Sequence, residues 1–326
     1  METMVMQRID EAHRHDRLRA FSRFLLVTFV TLGLSAIAQS IPSRVMAAEQ
    51  LTFASPDAAV DALVAAVAAD DVEKLFDIFG REYKSELIGG DEIAFRENRK
   101  ILAGALAQTA SLYDDDVDTK TLIVGAKAWP FPFPIVRQAG VWRFDTEAGI
   151  EEVINRRIGR NELGAIEICR VYINAQVQYA SADRDADDVR EFAQKVASQE
   201  GQKDGLYWEA GDGEELSPFG PLVAEARNYL EGREVGDPFH GYYYKIITRQ
   251  GAEAPGGRYD YIINGNMIAG FALIAFPAEH GNSGVMTFIC SHQGKVYEKD
   301  LGEDSDLIAA GIAVYDPDST WSEVRD

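Results

Sequence analysis

The chain has 326 residues, with 32 Lys and Arg against 53 Asp and Glu, two cysteines and a formal net charge of −21. That charge repels phosphate backbones and argues against nucleic-acid binding by the surface as a whole. Two cysteines cannot build a disulfide scaffold or a four-cysteine zinc site. The balance of 46% hydrophobic and 26% charged residues is that of a globular chain of about two domains.

Residues 1–23 carry Arg8, Arg14, Arg17, Arg19 and Arg23, followed by the uncharged run Phe24–Ala38. The run is too short for an ordinary spanning helix, which needs about 20 apolar residues. A basic segment, a short apolar run and small residues after it describe a secretory signal. Ala36-Ile37-Ala38 and Val45-Met46-Ala47 both fit a cleavage site, and the second lies closer to the folded chain. Left uncleaved, the segment would act as a membrane anchor. Removing residues 1–47 leaves 26 basic and 49 acidic residues, a net charge of −23 over 279 residues. The expectation is a periplasmic or secreted protein.

Ser55-Pro56-Asp57 is a helix start, and Val60, Leu63, Val64 and Val67 follow at helical spacing. Asp70-Asp71 can cap a second helix that ends at Gly80. Residues 91–112 read as helix, with Ile101, Leu102, Leu106 and Leu112 apolar. Strands follow at Thr121–Val124 and between Val136 and Phe144. The intervening Trp129-Pro130-Phe131-Pro132-Phe133-Pro134 is a stiff extended edge or crossover, because proline cannot donate to a ladder. This is a small α+β domain over residues 48–145.

Thr146 is the cap expected for a helix over Glu147–Ile158, with Gly159 interrupting it and Asn161 starting it again. Leu163, Ile166, Cys169, Ile173, Val177 and Ala180 then form an amphipathic stripe. Residues 183–240 are irregular, with a helix at Leu222–Leu230. From Gly241 the pattern is antiparallel β, with strands at Tyr242–Thr248, Tyr259–Asn264, Met267–Phe276, Val285–Ser291 and Lys295–Asp300. The second domain, 146–326, is one long helix followed by a sheet.

The segment AWPFPFPIVRQAGVWRFDTEAGIEEVINRRIGRNELGAI at 128–166 has an unusual texture, as do YYYKIIT at 242–248, GFALIAFPAEHGNSGVMTF at 270–288 and GKVYEKDLG at 294–302. Together they resemble a bacterial family of exported proteins, the domain-of-unknown-function family 2950, over about residues 50–320. The resemblance implies no activity and brings no catalytic residues. The C-terminal half also resembles the periplasmic part of type II pseudopilins. In pilins, however, the long helix continues the membrane segment, and here it begins more than a hundred residues downstream. Residues 50–145 look like the helix-plus-curved-sheet arrangement of NTF2-like or cystatin-like domains. These likenesses concern fold, and fold does not give function.

Asp183, Asp185 and Asp187 fill positions 1, 3 and 5 of a calcium-like loop, Val189 offers a carbonyl at position 7, and Glu191 follows. Position 6 is Asp188 where such loops have Gly, and position 12 is Gln194 where they have Glu. Arg190–Ser198 would form the exiting helix. Structural calcium is the one cofactor expected, and no nucleotide-binding motif is present. Cys169 on the helix and Cys290 on a strand are a candidate disulfide in an oxidising compartment.

His240, His280 and His292 lack zinc spacing. The Gly281–Gly284 turn holds Ser283, for which His240 or His292 would have to serve as base. Arg156, Arg157 and Arg160 form a basic cluster that the chain's own acids would pair. The reading is a non-enzymatic binding or structural module of the cell envelope, meeting an envelope protein or polymer. The alternatives are a periplasmic hydrolase using the Asp-rich segments or the Ser283 turn, and a calcium-dependent adhesion or assembly module.

Overall fold

The computed structural model describes residues 50–325 except 90–91, 212 and 221–237. The export segment and the helix expected at Leu222–Leu230 lie outside the described residues. The fold is mixed α+β, with antiparallel pairing throughout the named sheets.

Helix α1 (Pro56–Ala68) starts where Ser55 accepts the Ala58 amide, and α2 (Val72–Phe79) where Asp71 accepts that of Lys74. Gly80, at φ +96°, ends α2. A 3₁₀ turn (Arg81–Tyr83), α3 (Lys84–Ile88) and α4 (Glu92–Gln108) follow. The helix expected to reach 112 stops at Gln108, because Leu112 belongs to β1 (Ala110–Asp114), paired with β2 (Thr119–Val124). Leu106 is buried, whereas Ile101 is exposed. The proline-rich run is an edge: β3 (Trp129–Pro130) pairs with β2, and β4 (Ile135–Gln138) and β5 (Val141–Phe144) complete the sheet.

Prolines at 130, 132 and 134 hold this run extended, so Phe131 and Phe133 both turn inward. They meet Phe79 with ring centroids 6.4 and 4.8 Å apart, and Phe144 adds a fourth ring at 5.1 Å from Phe79. The first core forms here, with Leu63, Ile78, Leu122 and Ile135 fully buried.

Helix α5 runs unbroken from Thr146 to Tyr179, 34 residues, which corrects two expectations. Asp145, not Thr146, is the cap, accepting the Ala148 amide. Thr146 instead donates its hydroxyl to the Phe79 carbonyl at 2.5 Å. Gly159 does not interrupt the helix. One glycine costs about 1 kcal/mol, which packing of the flanking turns outweighs.

The buried face is Ala165, Ile168, Cys169, Tyr172, Ala175, Gln176 and Tyr179, while Leu163 and Val177 are exposed. The stripe is therefore rotated from the expected one, with Cys169 common to both. Small alanines let the helix approach the sheet, and Tyr172 and Gln176 enter the core because they find partners there. Tyr172 donates to the Ala272 carbonyl, and Gln176 bonds both the amide and the carbonyl of Ala193 at 2.8 Å.

The second sheet has the order β14 (Ser322–Glu323), β13 (Val296–Asp300), β12 (Met286–Ser291), β11 (Ala272–Pro277), β6 (Tyr242–Ile247). Short ladders join β7 (Arg249–Gln250) to β8 (Tyr259–Asp260) and β9 (Ile262–Ile263) to β10 (Asn266–Met267). The strand expected over Met267–Phe276 is split at Gly270, where any Cβ would lie 2.7 Å from the His292 ring. Helix α6 (Ser305–Gly311) follows β13. The second core lies between α5 and this sheet, and α5 contributes to both cores through Ile150 and through Ala165 onward.

Candidate functional site

The Asp-rich loop begins just after α5. Its carboxylates at Asp183, Asp185 and Asp187 lie within 4.8 Å of one another, all exposed. Asp183 accepts the amides of Ala186 and Asp188, and Asp187 accepts that of Val189. Burial by neighbouring atoms raises the Asp183 carboxyl, but the Asp188 and Ala186 amides hold it below its ordinary value. Asp185 is pushed upward, first by desolvation and then by the Asp187 charge. Asp188 takes φ +67°, the conformation for which calcium loops use glycine.

Glu191 is not part of this cluster. Its carboxylate accepts the Met267 amide at 2.9 Å. Asn266 donates to Asp187, so two separate bonds anchor the loop on the β9–β10 hairpin. The exiting helix expected over Arg190–Ser198 is absent. The backbone there bonds instead to Met267 and, through Ala197 and Ser198, to Tyr207.

Cys169 and Cys290 are both fully buried and both free thiols. The Cys290 thiol reaches the Cys169 carbonyl at 3.8 Å.

Ser283 is held inside its own turn, its hydroxyl donating to the Glu279 carbonyl and accepting the Glu279 amide. His280 meets Asp300 at 2.9 Å. His292 is half-buried beside Tyr261 and Phe271, and desolvation lowers its pKa. Arg156 pairs with Glu152 and covers the exposed Trp129 ring at 5.2 Å, whereas Arg157 and Arg160 make no ion pair with a described residue. Tyr242, Tyr261 and Trp208 are buried in the second core.

A further site, which the sequence reading passed over, lies among α2, α3 and α4. A cleft of about 230 Å³ is lined by Val72, Phe76, Lys84, Phe95, Arg96 and Arg99, together with Glu73, Ile88 and Glu92. The Phe76 and Phe95 rings stack with centroids 6.3 Å apart. Lys84 stands over Phe76 at 4.9 Å and Arg99 over Phe95 at 4.5 Å. Two of the neighbouring carboxylates are taken: Glu73 by Arg81 and Asp70 by Arg99. Lys84 and Arg96 make no ion pair with a described carboxylate. The signal for this site is the FRENRK run at 95–100, with Arg96, Arg99 and Lys100 concentrated in a strongly acidic chain.

A family model described as "Protein of unknown function (DUF2950)" matches residues 50–324. The chain belongs to this family. The match spans both cores, the Asp-rich loop and the cleft. Comparison with curated proteins and with solved structures found no significant match. The likeness to pseudopilins and to NTF2-like or cystatin-like domains therefore rests on sequence pattern alone. No helix among the described residues is long and apolar enough to cross a membrane.

Proposed function

We propose that this member of the DUF2950 family is an exported, non-enzymatic binding module of the cell envelope that holds a carboxylate-bearing envelope partner in the α2–α4 cleft. The observation that carries this reading is the pair Lys84 and Arg96, cations without a carboxylate partner among the described residues, beside two stacked rings, in a chain of net −21. A guanidinium grips a carboxylate in a charge-assisted fork, and the rings accept the apolar stem that carries it. The volume suits one side chain or chain end rather than a large ligand. The surrounding negative field disfavours polyanions, so the fitting partner presents isolated carboxylates. Co-sedimentation of the purified chain with isolated envelopes tests this. Wild type should pellet with them, and Arg96→Glu should bind at least about tenfold more weakly, because one charged contact is worth about 1.5–3 kcal/mol. Equal pelleting of both proteins would contradict the reading.

A second reading has its own observation. Three carboxylates converging within 4.8 Å repel one another, and a divalent cation would relieve that repulsion. Calcium would then staple the segment after α5 as a structural ion, consistent with an adhesion or assembly role. Three exposed ligands place the expected Kd at roughly 10⁻⁴–10⁻³ M. Calorimetry with calcium should give heat that Asp183→Asn with Asp187→Asn abolishes. Absence of heat with the wild-type chain would end this reading.

A further inference from the structure

The chain contains two cysteines, 121 residues apart, and the fold brings both into one place. Cys169 lies on the buried face of α5, between Ala165 and Tyr172, and Cys290 is the fifth of the six residues of β12, opposite Leu273 of β11 and Val296 of β13. Both are 0% exposed. The Cys290 sulfur lies 3.8 Å from the Cys169 carbonyl oxygen, which places the two side chains side by side in the core. Among the described residues, no ion pair or metal-binding cluster includes them. Both belong to the second core, together with the buried Tyr172, Tyr261 and Tyr315.

We infer that Cys169 and Cys290 form a disulfide that pins α5 to the central strand of the second sheet. The bond is made by exchange. One thiolate attacks a disulfide of the oxidant and releases one oxidant thiol, and the second cysteine then displaces the other oxidant thiol. Two protein S–H bonds are lost and one S–S bond is formed, and the oxidant's disulfide is reduced to two thiols. The oxidant is a small-molecule or protein disulfide of the glutathione class. Because both sulfurs are occluded in the folded chain, exchange must occur before α5 closes on the sheet. The inference does not rest on the cleft, and in the cell it needs the oxidising compartment that export would supply.

Purified chain, unfolded and reduced, is diluted into a mixture of reduced and oxidised glutathione, allowed to fold, unfolded again and alkylated for mass spectrometry. The expected product takes up no alkyl group, has lost two hydrogens, and melts roughly 10 °C above the reduced protein, because the bond closes a loop of more than a hundred residues. The reduced protein, folded first and then given oxidised glutathione, should stay reduced. Cys169→Ala with Cys290→Ala serves as the thiol-free reference. A folded product in which both thiols still alkylate, or an oxidised protein that melts with the double variant, would overturn the inference.

Discussion

Gln176 shows how one buried polar side chain can organise a long irregular segment. Its amide bonds both backbone groups of Ala193 and also the Tyr172 hydroxyl, and it is fully buried. Replacing it with Leu keeps similar bulk but leaves the Ala193 amide and carbonyl unpaired. We expect Gln176→Leu to cost about 3 kcal/mol in denaturant unfolding, one to two buried unsatisfied groups' worth. A loss under about 0.5 kcal/mol would mean that the segment from 183 to 220 does not hang on this residue.

His292 gives a pH dependence. Burial lowers its folded pKa below the ordinary 6.5. Between those two values the unfolded chain binds a proton that the folded chain does not, so stability rises with pH across that window. The contribution is present above pH 6.5 and is lost as pH falls through the lower folded value. The melting temperature should therefore drop on acidification from neutrality, and His292→Gln should flatten that part of the profile. An unchanged slope in the variant would contradict the assignment.

At the scale of elements, two of the three glycines in α5 have opposite meanings. A Cβ on Gly149 would sit 2.0 Å from the Phe133 ring, whereas one on Gly159 would meet nothing within 4 Å. Gly149→Ala should destabilise by about 1–3 kcal/mol through overpacking. Gly159→Ala should stabilise by about 0.5–1 kcal/mol through helix propensity. Unfolding curves of the two variants, moving in opposite directions from wild type, check both. A destabilising Gly159→Ala would place a hidden contact or a kink at that turn.

The same helix shows what sequence pattern reveals and what it hides. Starts and stops were legible where local chemistry decides them: Ser55, Asp71 and Gly80 cap as expected because their bonds are local. The continuity of α5 was not legible, because it depends on packing that outweighs a glycine. The rotated buried face was hidden too, since counting apolar residues favours Leu163 and Val177 over Tyr172 and Gln176, whose partners are 17 to 100 residues away.

Across the whole molecule, the candidate sites divide in the same way. The Asp183, Asp185 and Asp187 cluster is contiguous in sequence, so its convergence could be read from spacing, whereas Glu191 leaves it for a backbone amide 76 residues away. Cys169 and Cys290 could be paired in outline because each lies on an apolar face. The α2–α4 cleft could not be read, because its rings and cations come from three helices whose mutual packing no local pattern encodes. The central claim is that this cleft, rather than the acidic surface, is where the protein meets its envelope partner. Nuclear magnetic resonance of the isotope-labelled chain, titrated with soluble fragments digested from isolated envelopes, tests it most directly. The account predicts shifts confined to Phe76, Lys84, Phe95, Arg96 and their neighbours, and lost in Arg96→Glu. Shifts centred on any other surface, or none at saturating fragment, would contradict it.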